Sequence, residues 1–319
     1  MLAKFYRVHY NESRGDIGKA IAMMENILES PEGRKTVYMR RRVGLLQRED
    51  KLDEALERTE EWKRMAPGDR AAWQRRADIL SLLGQTDESV NELRRMLGKF
   101  GSEESLRASL ASRLLESGDI QAAKKIYEQL YDEADSSQGK LKWVAELALL
   151  AQQEGDITEL LESFDQRSRS NPQSIEPLLA KAEVYRVLNQ YKERREVLIQ
   201  ATEKRPDDPQ LLIRLAEVEE RAGELHQAIA TLREAVRLDK TFGAKNKLAR
   251  LLILNGETSA GLSLLAQIPT ESSDPRKVEK TMESLIKSGE PEMTLSYWKN
   301  LPQHHADWRL LYLLSLIHI

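Results

Sequence analysis

A residue suited to a left-handed turn recurs about every 34 residues along nearly the whole chain, and this period constrains the fold more than any other feature. Seven of the nine positions are glycine and the others are aspartate and asparagine: Gly15, Asp50, Gly84, Gly118, Gly155, Asn189, Gly223, Gly256 and Gly289. These residue types most readily adopt the left-handed backbone that ends a helix. Such a period is typical of an array of helical hairpins and not of a single closed core.

The apolar spacing around each turn predicts two helices per unit. In the unit from Pro172 to Pro206, Leu178 and Ala182 recur at helical spacing before the turn at Asn189. A second helix is predicted over 191–202, and a proline then stops the chain from continuing as helix. Each unit is therefore predicted to be two antiparallel helices joined by a short turn.

Two columns of mostly small residues predict where the paired helices cross. Seven residues before each turn stand Val8, Val43, Ala77, Ala111, Ala148, Ala182, Ala216, Ala249 and Met282. Five residues after each turn stand Ala20, Ala55, Ser89, Ala123, Leu160, Arg194, Ala228, Gly261 and Thr294. A third column, nine residues after the turn, is mostly large and is expected to fill the space between hairpins: Met24, Thr59, Leu93, Tyr127, Phe164, Leu198, Leu232, Leu265 and Trp298.

This register sets opposite expectations for two glycines. Valine at the turn position Gly223 should reduce stability, because the left-handed backbone disfavours a β-branched side chain. Alanine at Gly261 should be mild or stabilising, since alanine is the common occupant of that helical column.

The pattern resembles the tetratricopeptide repeat, whose signature is W-x2-L-G-x2-Y, then A-x3-F, then P. The first part is matched in two units by Trp73, Ala77 and Leu80, and by Leu178, Ala182 and Tyr185. The later parts are matched by Ala123 with Tyr127 and by Pro67, Pro172 and Pro206. Arg76 departs from the signature, where leucine is usual. The resemblance covers about nine units and implies an all-α, right-handed superhelix formed by residues 1–319 as a single array.

Composition argues against several classes of function. Charged residues make up 32% of the chain but the net charge is only −3, which indicates a solvated helical surface and argues against a nucleic-acid partner. We interpret the arginines at 40–42 and 75–76 in the same way, with a basic patch as the alternative. Related RNA-binding repeats remain an alternative, but they have a longer period or more than the 6% aromatic residues present here.

No pattern of catalytic, cofactor-binding or metal-binding residues is found in the sequence, and we expect the protein not to be an enzyme. The absence of cysteine excludes a thiolate metal site, and His304, His305 and His318 are better explained as parts of a loop and a chain end. No apolar run reaches the roughly 18 residues that a membrane span needs. The mixed residues 1–10 are no secretory signal, which favours a cytoplasmic location.

The resemblance implies a binding groove on the concave face, lined by the first helix of each unit. The groove residues we predict are Asp78, Leu179, Glu183, Arg186, Ile213, Glu217 and Glu220. No asparagine stands six residues before a turn, so the carboxylate clamp of chaperone-binding arrays is not expected. The acidic stretch predicts a preference for basic amphipathic segments, with a merely solvated face as the alternative.

The sequence therefore predicts a non-catalytic scaffold for protein–protein interaction, which binds a peptide or protein segment in this groove. An RNA-binding repeat protein is one alternative, and the regulatory or assembly arm of a larger enzyme or envelope complex is another. We also expect truncation at one or both ends, because the apolar Phe5, Tyr6 and the helix from Trp308 lack a polar capping unit. A dimerisation surface at the apolar C-terminal end is the alternative.

Overall fold

The computed structural model describes residues 2–28, 36–238 and 242–267. These residues form sixteen helices and no strand, which confirms the all-α expectation. The helices are α1 Leu2–Ser13, α2 Ile17–Leu28, α3 Thr36–Arg48, α4 Leu52–Met65, α5 Arg70–Leu82, α6 Thr86–Phe100, α7 Glu104–Glu116, α8 Ile120–Glu133, α9 Ser137–Glu154, α10 Ile157–Ser170, α11 Glu176–Val187, α12 Tyr191–Lys204, α13 Pro209–Arg221, α14 Leu225–Leu238, α15 Phe242–Leu254 and α16 Thr258–Gln267.

The helices pack as consecutive hairpins within two compact units. The first unit spans Met1–Leu150 and the second spans Ala151–Ile319. In the first, α1 packs on α2, α3 on α4, α5 on α6 and α7 on α8, and each hairpin also packs on the next. In the second, the hairpins α11–α12, α13–α14 and α15–α16 stack in the same way. Each unit is thus a stretch of helical solenoid whose odd-numbered helix is the first of its hairpin.

The turn positions have the backbone that the sequence predicts. All eight that lie in the described residues have positive φ, from +57° at Asp50 and Asn189 to +85° at Gly155. At Gly84 the amide donates to the Ser81 carbonyl, and the next amide donates to the Leu80 carbonyl, each at 2.9 Å. This pair of hydrogen bonds is the Schellman motif that ends a helix. Gly289 lies outside the described residues.

Valine at Gly223 is expected to destabilise the chain by roughly 1–2 kcal/mol, because φ is +80° there and a side chain resists left-handed backbone. The neighbouring Ala222 is exposed and has φ −76°, so Ala222→Val provides a matched control. Urea unfolding of the two variants should show a loss at the first position only. Equal losses would contradict the assignment of the turn.

In the described residues, the column of mostly small residues five positions after the turn is buried at the helix crossings, as predicted, and Thr294 lies outside those residues. Ser89 shows how close the helices come, because its hydroxyl donates to the Ala77 carbonyl at 2.7 Å. At Gly261 the helices are closer still: a Cβ there would lie 2.6 Å from the Ala249 carbonyl oxygen and 2.7 Å from Ile253 Cγ1. The expectation that alanine is mild at Gly261 is therefore wrong, since a backbone oxygen cannot move aside as a flexible side chain can.

Gly261→Ala is expected to destabilise the chain by about 1–3 kcal/mol through overpacking. Gly18→Ala is the control, because Gly18 is an exposed glycine within α2 and no atom lies within 4 Å of its added Cβ. That change should stabilise the chain by roughly 0.5–1 kcal/mol through helix propensity. Thermal unfolding followed by circular dichroism would distinguish the two, and opposite signs are the expected result.

Three hairpin interfaces contain the same ion pair where the repeat signature has leucine. A cation on the first helix, eight residues before its turn, meets an acid on the second helix of the preceding hairpin. The pairs are Arg42 with Glu25 at 2.6 Å, Arg76 with Glu60 at 3.4 Å, and Lys181 with Asp165 at 2.7 Å. The departure at Arg76 is thus compensated by an acid of the neighbouring repeat.

Candidate functional site

Polar contacts join the first helices of neighbouring hairpins in the first unit. Arg41 and Arg48 on α3 both pair with Glu12 on α1. Arg113 on α7 lies 3.6 Å from Asp78 on α5. These contacts place the first helices side by side, so that together they present one polar face. In each unit, we call the surface formed by the odd-numbered helices, which are the first helices of their hairpins, the first-helix face.

The second unit has the same arrangement in α13 and α15. Lys247 pairs with Glu217, and Arg250 pairs with Glu220 at 2.7 Å. On α11, Glu183 pairs with Arg186 within the helix, also at 2.7 Å. The three carboxylates that suggested an acidic groove are therefore already neutralised by cations of this chain. A preference for basic segments loses its physical basis.

The predicted groove residues divide between the two units. Asp78 belongs to the first unit, where it also accepts a hydrogen bond from Gln74 at 3.1 Å. The other six belong to the second unit, where the charged ones lie on the first-helix face. Leu179 and Ile213 are only 7% and 8% exposed, so they offer little apolar surface to a partner.

Exposed leucines on first helices are a feature that the sequence analysis missed. Leu82 at the end of α5 and Leu254 at the end of α15 are each 63% exposed, and both stand two residues before their turn. Two residues before the turn, the other described repeats have mainly polar residues, among them Ser13, Arg48, Glu116, Gln153 and Arg221. The break in this column is the signal that could have identified them. Single exposed leucines are common on protein surfaces, and these remain secondary candidates.

Within the described residues, four of the five arginines at 40–42 and 75–76 are paired with acids of the same unit, which leaves Arg75 as the exposed exception. Arg42 contacts Glu25 and also Glu54, the latter at 3.3 Å. Together with Met39, Arg58 and other residues, Arg42 lines a cleft of ≈580 Å³ among α2, α3 and α4. Arg58 is in turn 3.1 Å from Glu61. The internal pairing agrees with the interpretation of these arginines as a balanced surface.

Glu219 on α13 and Arg194 on α12 are buried charged residues of the second unit. Burial raises the pKa of Glu219, although its carboxylate accepts from the Thr231 hydroxyl at 2.8 Å and lies 3.6 Å from Arg195. Burial lowers the pKa of Arg194. Neither residue was among the predicted site residues, because their burial depends on packing between helices.

Within the described residues, no group of acidic or histidine side chains is arranged to hold a metal ion. His304, His305 and His318 lie outside those residues. The helices of the described part of the chain are also too short or too polar to cross a membrane.

A family model for the tetratricopeptide repeat matches residues 209–242, which include α13 and α14. The structure of Naa15/Naa10 bound to HypK-THB contains a similar fold, with a TM-score of 0.57 at 16% sequence identity. That match covers 97% of this chain, which spans 57% of the matched chain.

Two weaker structural matches are a TPR protein from Thermus thermophilus and one from Parabacteroides merdae. The first has 21% identity and a TM-score of 0.39, and covers 58% of this chain and 100% of that one. The second has 16% identity and a TM-score of 0.38, and covers 85% of this chain and 98% of that one. No curated protein sequence matches the chain. Residues 209–242 therefore form a tetratricopeptide repeat, and the repeats before them have the same period and the same turn.

Proposed function

We propose that this protein is a non-catalytic scaffold that binds a segment of another protein along the concave, first-helix face of one array formed by residues 1–319. The family supports this proposal, since such repeats commonly mediate protein interactions. The predicted groove residues remain part of the proposed site, with Asp78 in the first unit and Glu183, Arg186, Glu217 and Glu220 in the second. Leu179 and Ile213 lie on the same first helices, where both are buried.

The observation that best supports the proposal is that ion pairs hold the charged side chains of the second unit in place. The pairs Glu217–Lys247 and Glu220–Arg250 hold four long side chains on a partly exposed face. Exposed ion pairs of this kind add only about 0–1 kcal/mol to stability. Their value to binding is greater, because a side chain that is already ordered loses less conformational entropy when a partner docks.

In a second form of the same proposal, the protein is the regulatory or assembly arm of a larger complex. The structure of Naa15/Naa10 bound to HypK-THB shows this fold within a complex of several proteins. The present chain spans 57% of the matched chain, so any such partners are part of the proposal. The first-helix face is the surface to test in either form.

The proposal is tested by affinity capture with the chain and two double variants, followed by mass spectrometry. Glu217→Ala with Lys247→Ala removes one ion pair from the first-helix face without changing the net charge. Lys192→Ala with Glu196→Ala is the matched control, since both residues are exposed on the second helix α12. Circular dichroism should show that both variants remain helical.

We expect a defined set of proteins that binds the wild-type chain and the control but is reduced about tenfold on the face variant, which is the loss of roughly 1.4 kcal/mol. The set should persist after nuclease treatment. Equal capture by both variants would remove the first-helix face from the proposal. Capture that disappears with nuclease would favour the RNA-binding alternative, whose affinity should also fall steeply with salt.

A further inference from the structure

Arg194 on α12 occupies a helix crossing where most repeats have a small residue. Its column, five residues after the turn, contains alanine at Ala20, Ala55, Ala123 and Ala228. The arginine is nonetheless only 6% exposed, so its long side chain is enclosed by the hairpin. Such a replacement requires a reason, because arginine is rarely buried unless it is paired.

The guanidinium of Arg194 has no partner within the described part of the chain. Its Nε is buried without a hydrogen bond, and it forms no ion pair there. The Nε of Arg42 is also buried without a hydrogen bond, but Arg42 forms an ion pair with Glu25, and the buried Lys63 forms one with Glu92. A buried charge without an ion pair is unfavourable, so we expect Arg194 to reduce the stability of the unbound protein.

The charges that act on Arg194 belong to the first helices on both sides of it. Glu183 and Arg186 lie on α11, and Glu217 and Arg221 lie on α13. The buried side chain therefore lies among charges that belong to both neighbouring first helices. Glu183 is paired with Arg186, and Glu217 is paired with Lys247. Among the described residues of this neighbourhood, the charges left without an ion pair are the guanidinium groups of Arg194 and Arg221.

We propose that Arg194 is the anchor for an aspartate or glutamate side chain of the bound protein segment, with Arg221 as the second contact. A guanidinium matches a carboxylate in geometry and binds it through two parallel hydrogen bonds. The inference rests on the proposed function, since it names the chemistry of the segment that the first-helix face binds.

The first test measures stability. Arg194→Met keeps the length of the side chain and removes the charge, so the melting temperature should rise by roughly 2–4 °C. Lys192→Met on the same helix is the control, because Lys192 is exposed and its replacement should leave the melting temperature nearly unchanged. A lower melting temperature for Arg194→Met would show that the guanidinium is already compensated, and would overturn the inference.

The second test measures recognition with a library of random twelve-residue peptides displayed on phage. The library is selected in parallel on the full chain, on Arg194→Met and on Lys192→Met. We expect an acidic residue to be enriched at one peptide position on the wild type and on Lys192→Met, but not on Arg194→Met. In a selected synthetic peptide, changing that acid to its amide should weaken binding roughly 10- to 100-fold on the wild type alone.

The outcomes separate this inference from the scaffold proposal. Peptides enriched on all three proteins without an acidic preference would overturn the role of Arg194 and leave the scaffold standing. No enriched peptide on any of them would contradict the peptide-binding scaffold, and the inference with it. Tighter binding when phosphoserine replaces the acidic residue would overturn the assignment to a carboxylate.

Discussion

Replacing Glu92 with leucine is expected to destabilise the protein by about 3 kcal/mol, because it leaves the ammonium group of Lys63 buried without its main partner. Glu92 on α6 is 2% exposed and Lys63 on α4 is 9% exposed, and the two form an ion pair between neighbouring hairpins. The loss should fall at the low end of the range for a broken buried pair. Glu60 remains 3.5 Å from Lys63, and the Trp73 ring remains 3.9 Å from it.

The double variant Lys63→Met with Glu92→Leu should recover most of this loss, since an apolar pair can replace a buried ion pair at little cost. Urea unfolding of the wild type, the single variants and the double variant forms a double-mutant cycle. Glu88→Leu is the control on the same helix, because Glu88 is exposed and its change should stay within about 0.5 kcal/mol. Additive losses in the double variant would contradict direct coupling of the two charges.

Trp62→Ala is expected to destabilise the first unit by about 3–5 kcal/mol, the usual cost of emptying a buried aromatic site. Trp62 on α4 is fully buried in the core that also contains Met39, and its Nε1 donates to Asp69 at 3.0 Å. The residue also explains the exception at Thr59, three positions earlier, where the column of large residues has a small one. The indole provides the bulk that the threonine lacks.

The loss of stability in Trp62→Ala should also be local, because each hairpin of a solenoid is stabilised mainly by its neighbours. Hydrogen exchange followed by mass spectrometry should show lower protection in α3–α6, with α11–α14 retaining theirs. Met65→Ala on the same helix provides the control, since Met65 is 39% exposed and should lose less than about 1 kcal/mol. A uniform loss of protection along the chain would contradict the local character of this stability.

The fold could be predicted because its signals are local. Positive φ at Gly84, Gly118 and Gly223 follows from residue type and position at the end of a helix, and the hydrogen bonds that close each turn span at most five residues. The small residues at the crossings likewise follow from the way two adjacent helices pack. The right-handed course of the superhelix stays a prediction, as does the number of repeats.

The candidate site was harder to predict, because the pairing of its charged side chains depends on residues about thirty positions apart. The sequence predicts that the acidic stretch with Glu217 and Glu220 prefers basic segments, yet both acids are paired with Lys247 and Arg250, thirty positions further along the chain. The effect of alanine at Gly261 was misjudged for the same reason, since the Ala249 carbonyl that blocks it lies on the partner helix. Side-chain pairing across repeats is not visible in the pattern of one repeat.

The sequence by itself determined the period, the turns, the helix pairs and the family, because each of these depends on residues close together in the chain. Only the tertiary structure decided which charges are neutralised and which remain without a partner. Arg194 appears in the sequence as an irregular member of a small-residue column. In the folded protein it is a buried cation of α12 without an ion pair among the described residues, because the neighbouring carboxylates of Glu183 and Glu217 pair with Arg186 and Lys247.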